Sequence, residues 1–212
     1  VLSGDTDGKG RQLIFVNQQQ SDTYGHVPAY IYIGDENGYK ADRRVELPGH
    51  SPGSIIPADL NDDGNTDIIL FNNGEDQPEK LPLSTIFWGS KDGLDSNNYT
   101  DIPTYLSWGG QVGDVNRDGY LDIIFTSCNQ RKELNKNIVT VLYGSEQGYS
   151  MDNSLTLEIA PGERLCGILW PLLADLNNDG WLDLCIPMSN EGYSIIFWGG
   201  AEGYSMERSQ KL

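Results

Sequence analysis

Asp59-Leu60-Asn61-Asp62-Asp63-Gly64-Asn65-Thr66-Asp67 is a nine-residue sequence whose pattern occurs again at two later places in the chain. All three copies have Asp at positions 1, 5 and 9, Asn at position 3 and Gly at position 6, and their first residues are 55 and then 61 positions apart. A pattern that recurs at such a spacing is typical of a protein built from structural repeats. The later copies are Asp114-Val115-Asn116-Arg117-Asp118-Gly119-Tyr120-Leu121-Asp122 and Asp175-Leu176-Asn177-Asn178-Asp179-Gly180-Trp181-Leu182-Asp183.

A second motif, which contains two glycines four residues apart, occurs four times with a constant step of 55 residues. The step stays constant although the spacing of the Asp-rich loops changes. One connection within a repeat has therefore lengthened while another has shortened, and the repeat has kept its size. The four copies are Ile33–Tyr39, Trp88–Leu94, Tyr143–Tyr149 and Trp198–Tyr204.

Short runs rich in Ile, Phe, Tyr and Trp lie between these motifs and are bounded by Gly, Asn and Asp, a pattern typical of β-strands. Four strands per repeat predict an all-β fold, a β-propeller built of four-stranded antiparallel blades; a β-sandwich is the alternative. We expect one propeller-like domain with approximate repeats 1–47, 48–103, 104–160 and 161–212. In the second repeat the predicted strands are Ser54–Ala58, Ile68–Phe71, Ser84–Trp88 and Tyr99–Ile102.

The composition of the Asp-rich loop predicts a calcium site. Calcium is a hard cation that takes six to eight oxygen ligands, and the loop offers side-chain oxygens at positions 1, 3, 5 and 9 and a backbone carbonyl at position 7. Without a cation the carboxylates would repel one another. The alternative to calcium sites is that the three loops are solvated acidic turns. The three predicted Ca²⁺ sites comprise Asp59, Asn61, Asp63, Asn65 and Asp67; Asp114, Asn116, Asp118, Tyr120 and Asp122; and Asp175, Asn177, Asp179, Trp181 and Asp183.

The loop begins like an EF-hand but differs from it where an EF-hand has its last ligand. An EF-hand has a bidentate Glu at position 12 and flanking helices, whereas position 12 here is Leu70, Phe125 or Ile186 within a strand-like run. We therefore expect a calcium loop carried on a β-hairpin. A fourth copy in the first repeat is degenerate, because Lys9 replaces the acidic residue at position 5 and Leu13 the one at position 9. We expect it to bind no metal.

The units Ala58–Ile69, Gly113–Ile124 and Ala174–Leu184 resemble FG-GAP/VCBS repeats, which form the propeller of integrin α-subunits and occur in many bacterial surface proteins. The resemblance implies that each Asp-rich loop joins the innermost strand of a blade to the second strand. The glycine motifs would then be turns between the third and fourth strands. Propellers of this family usually have seven or eight blades, so the four repeats would form either a closed four-bladed ring or part of a larger one.

Charge and hydropathy exclude several classes of partner. The net charge is −17, from 31 acidic and 14 basic residues, which disfavours nucleic acid and anionic membrane surfaces. No apolar run is long enough to span a membrane, so we expect no membrane insertion. The three cysteines have no metal-ligand spacing and are expected to be small buried thiols, not redox centres. They are Cys128, Cys166 and Cys185.

No catalytic motif is present in the sequence, and we expect no enzymatic activity. Aromatic residues at equivalent places, Trp88, Tyr143 and Trp198, are expected to pack between blades. Trp108, Trp170 and Trp181 are weaker candidates for contact with carbohydrate, and Trp181 is expected to be exposed. The leading hypothesis is a non-catalytic binding or adhesion module for a protein or carbohydrate ligand, with structural calcium. The alternative is the propeller portion of a secreted polysaccharide-active enzyme.

Location and assembly follow from the same features. Extracellular modules bind calcium with dissociation constants of about 10⁻⁴ to 10⁻³ M, so we expect an extracellular, cell-surface or periplasmic protein. An incomplete propeller would leave two sheet faces uncovered. We therefore expect such an open array to self-associate.

Overall fold

The computed structural model describes residues 2–4, 13–16, 28–73, 83–104, 107–128, 136–161, 170–188 and 192–212. Within these ranges sixteen β-strands form four four-stranded sheets, every pairing is antiparallel, and the described residues include no helix. The predicted all-β class and the four-stranded antiparallel sheets are confirmed. No helix among the described residues is long and apolar enough to cross a membrane.

Each sheet is one contiguous piece of chain in which consecutive strands are neighbours. The first sheet contains β1 (Leu2–Gly4), β2 (Leu13–Val16), β3 (Ala29–Ile33) and β4 (Arg44–Leu47). The second contains β5 (Pro52–Ala58), β6 (Asp67–Asn72), β7 (Ser84–Phe87) and β8 (Tyr99–Ile102). The third contains β9 (Ser107–Gly113), β10 (Asp122–Cys128), β11 (Lys136–Leu142) and β12 (Ser154–Pro161). The fourth contains β13 (Leu172–Ala174), β14 (Asp183–Pro187), β15 (Ser194–Phe197) and β16 (Ser209–Lys211).

The two repeated motifs lie at fixed places in these sheets. Each Asp-rich loop joins the first strand of its sheet to the second, as between β5 and β6, and its last Asp is the first residue of the second strand. Each glycine motif follows the third strand of its sheet. Both placements agree with those implied by the resemblance to FG-GAP repeats.

The core lies between sheets, and the chain divides into two compact units, Val1–Leu106 and Ser107–Leu212. In the first unit, Ile31 of the first sheet packs in one buried cluster with Ile68, Leu70 and Phe87 of the second sheet. In the second unit, the third and fourth sheets share a larger cluster. Side chains alternate between the two faces of a strand. The residues of one strand that enter such a cluster are therefore alternate ones, as Ile68 and Leu70 are in β6.

Candidate metal centre

The backbone of the Asp-rich loop folds tightly because two of its residues adopt positive φ. Position 6 is glycine in every copy, with φ of 81°, 93° and 88° at Gly64, Gly119 and Gly180. This region is open to glycine without steric cost. Position 4 also has positive φ, between 55° and 62°, although it is not glycine. Asp and Asn tolerate this conformation better than most residues, and position 4 is Asp62, Arg117 and Asn178.

Side chains at positions 1, 3 and 5 turn towards one another across the loop. In the second sheet, the backbone N–H of Asp63 donates to Oδ1 of Asp59 at 3.1 Å and to Oδ1 of Asn61 at 3.2 Å. The other oxygen of Asp59 accepts from the N–H of Gly64 at 2.9 Å. The same bonds recur in the other two loops, with donor–acceptor distances of 2.8 to 3.1 Å. The sequence pattern therefore builds one side-chain arrangement three times.

Position 9 is a fully buried aspartate that ties the loop to the glycine motif of its own sheet. Both oxygens of Asp122 accept backbone hydrogen bonds, from Val115 at 2.8 Å and from Gly144 at 2.9 Å. The first donor is position 2 of the loop, and the second is the first glycine of the turn after β11. Asp67 and Asp183 accept the corresponding pairs of bonds. The residue at position 9 was predicted only as a metal ligand, and the structure adds a role in holding the backbone.

The first glycine of the second, third and fourth glycine motifs is required by the close approach of the Asp-rich loop in the same sheet. A Cβ on Gly144 would overlap the backbone carbonyl of Leu121, at position 8 of the loop, and Gly89 and Gly199 face the equivalent carbonyls. In the third and fourth sheets that carbonyl also accepts a bond from a tyrosine hydroxyl, from Tyr149 at 2.8 Å and from Tyr204 at 2.7 Å. These contacts were not predicted from the sequence. Their only signal was that the glycine motif follows every Asp-rich loop.

The electrostatics of the loop differ between its outer and inner carboxylates. Burial raises the pKa of Asp122 to about 6, although two backbone N–H groups act in the opposite direction, and the charges of Asp118 and Asp114 raise it further. Burial likewise raises the pKa of Asp67. At the exposed position 5, the backbone N–H of Asn65 lowers the pKa of Asp63. The inner carboxylate therefore bears a desolvation cost that an adjacent cation would reduce.

The donor chemistry of the loop fits a hard cation, because every predicted ligand atom is oxygen. Among the described residues, however, no group of three or more His, Cys, Asp or Glu side chains has an arrangement that could hold a metal ion. In each loop the carboxylates accept N–H hydrogen bonds, and the predicted set also uses an Asn and a carbonyl. Calcium binding by the fifteen predicted residues therefore stays a prediction.

The aromatic residues and cysteines singled out in the sequence differ in how they compare with expectation. Trp181 was expected to be exposed, but it is partly buried, because the guanidinium of Arg117 lies over its ring. Tyr143 packs against the core cluster of the third and fourth sheets, as expected for packing between sheets. Cys185 is a free, partly buried thiol whose pKa is raised by burial. The degenerate loop around Asp5 and the thiol of Cys166 lie outside the described residues.

Comparison with known proteins agrees with the resemblance seen in the sequence. The FG-GAP-like repeat family matches residues 59–125, which include the first two Asp-rich loops. The phosphatidylinositol-glycan-specific phospholipase D of Mus musculus is 29% identical over 147 residues, which make up 62% of this chain and 17% of that protein. The T-cell immunomodulatory protein of Homo sapiens is 25% identical over 124 residues, 57% of this chain and 19% of that protein. The chain thus spans less than a fifth of the length of these relatives.

Proposed function

We propose that this chain, which carries FG-GAP-like repeats, is a non-catalytic β-propeller module that binds a protein or glycan ligand and is stiffened by three calcium ions. FG-GAP repeats are associated with propeller modules for adhesion or binding, and proteins that contain them are typically extracellular or on cell surfaces. The location proposed for this chain is therefore outside the cytosol, at a cell surface or in the periplasm.

The observation that carries the proposal is the threefold repetition of one loop geometry. In every copy the side-chain oxygens at positions 1 and 3 accept from the same backbone N–H, and the Asp at position 9 is fully buried. Three unrelated acidic turns would not share donors, acceptors and backbone conformation in this way. An ion at this place would neutralise carboxylates that the fold already holds together.

Calcium binding is testable by titration of the metal-free chain, monitored by calorimetry. We expect three sites with dissociation constants of about 10⁻⁴ to 10⁻³ M. The substitutions Asp63→Asn, Asp118→Asn and Asp179→Asn should each remove one site and leave the other two. The exposed Asp152, outside the loops, supplies the matched control, since Asp152→Asn removes the same charge and should leave all three sites. Absence of heat from the native chain at millimolar calcium would contradict the proposal.

The ligand class is testable separately, on a glycan array and with acidic polysaccharide in solution. A non-catalytic glycan-binding module should retain glycans on the array and leave the polysaccharide at its original length. Cleavage of the polysaccharide would instead support the enzyme alternative. Binding to neither glycans nor polysaccharide, with capture of a cell-surface protein, would assign the module to protein adhesion.

A further inference from the structure

We propose that Arg117, a residue of the second Asp-rich loop, lowers the calcium affinity of the third Asp-rich loop because its guanidinium places a fixed positive charge beside that loop. This inference rests on the proposed calcium function. Arg117 would be a residue that distinguishes one repeat from another, and three loops with the same ligand pattern would then differ in affinity.

The Arg117 side chain lies against the third Asp-rich loop. Its guanidinium carbon lies 4.2 Å from the centroid of the Trp181 ring, at position 7 of the third loop. A Cβ on Gly180 would come within 2.5 Å of Nη2 of Arg117, so the guanidinium also lies against the backbone at position 6. Both residues belong to the third loop, whereas Arg117 belongs to the loop between β9 and β10.

Arg117 also brings a positive charge to this loop. Its guanidinium lies beside Gly180 and Trp181, the two residues that follow the predicted ligand Asp179. A Cβ added at the equivalent Gly64 or Gly119 would meet nothing within 4 Å among the described residues. The loops thus have the same acidic ligands but different basic neighbours.

Arg117 has a left-handed backbone conformation, which an arginine side chain does nothing to stabilise. Its φ is 62°, in the left-handed region where Asn and Asp are enriched several-fold over other residues. The other two loops have Asp62 and Asn178 at this position. The stacking of a cation on Trp is favourable and offsets this cost, so the contact with the third loop explains why an arginine is tolerated here.

Two opposite effects follow from a fixed positive charge at this place. In the absence of calcium, the guanidinium partly neutralises the third loop and stabilises it. When calcium enters, the two cations repel each other, and the affinity falls. With screening by solvent, we expect the affinity of the third loop to be about tenfold lower than it would be without Arg117.

The test is Arg117→Asn, which removes the charge and the stacking while retaining a residue that suits positive φ. Terbium, a luminescent substitute for calcium, is titrated into the metal-free chain with excitation of tryptophan alone, and Trp181→Phe identifies the signal of the third loop. We expect Arg117→Asn to raise the terbium affinity of that loop about tenfold and to lower the melting temperature of the metal-free chain. Arg117→Gln gives a second measurement of charge removal, and Arg117→Lys should stay near the native affinity.

The matched control is Arg44→Asn in the first sheet, which also removes an arginine stacked on an aromatic ring, at 4.0 Å over Tyr30. It should leave the terbium affinity of the third loop unchanged. If calorimetry shows calcium binding and the charge-removing variants leave the third loop's affinity unchanged or lower, the inference on Arg117 is overturned and the calcium function stands. If neither the native chain nor the variants bind calcium or terbium, both are overturned.

Discussion

At the scale of single residues, the aspartate at position 9 combines burial with two backbone hydrogen bonds, and its removal should be costly even without metal. Asp122→Asn places an amide nitrogen opposite an N–H donor, either that of Val115 or that of Gly144. We expect the free energy of unfolding of the metal-free chain to fall by about 2 to 3 kcal/mol, the cost of an unsatisfied buried group. Urea denaturation followed by tryptophan fluorescence measures it.

The comparison for this prediction is Asp118→Asn in the same loop. Asp118 is exposed, and an Asn oxygen can still accept the bond that the backbone N–H of Tyr120 donates to Oδ1 at 2.9 Å. Its substitution should change the stability of the metal-free chain by less than about 0.5 kcal/mol. Equal effects of the two variants would contradict the backbone role of position 9.

The two glycines of the third glycine motif, Gly144 and Gly148, are required for different physical reasons. Gly144→Ala drives a methyl group into the carbonyl of Leu121, which is backbone and cannot turn aside. We expect a loss of about 3 kcal/mol, at the upper end of overpacking costs. Gly148 has φ of 82°, and a methyl group added there would meet nothing within 4 Å, so Gly148→Ala should cost about 1 kcal/mol from backbone strain alone. Thermal unfolding distinguishes the two costs.

At the scale of elements, each Asp-rich loop is tied to the glycine motif of its sheet by hydrogen bonds, and in the third and fourth sheets a tyrosine hydroxyl adds one more. Tyr149→Phe removes the bond to the carbonyl of Leu121 while keeping the ring. We expect a destabilisation of about 1 kcal/mol, the typical net value of one hydrogen bond. Tyr39 occupies the same place in the first sheet and is 43% exposed, so Tyr39→Phe is the control and should have no measurable effect.

Much of each element could be predicted because its signals are local. β8 has the predicted bounds, Tyr99–Ile102, and β7 ends one residue before its predicted end at Trp88. Of the two loop positions with positive φ, position 6 was marked by glycine, whereas position 4 was not, because it is Asp, Arg or Asn. The pairing of Asp67 with the turn at Gly89 could not be predicted, because it joins residues 22 positions apart through a buried hydrogen bond. The partial burial of Trp181 depends on a side chain from another sheet, to which no local pattern points.

At the scale of the whole molecule, calcium should act on the stability of the chain as a ligand that binds only the folded state. Removal of calcium by a chelator should lower the melting temperature, and its return should restore it. At a concentration 100 times the dissociation constant, each site would add about 2.7 kcal/mol. Scanning calorimetry with and without chelator measures the shift. A chelator control saturated with calcium separates metal removal from a direct effect of the chelator.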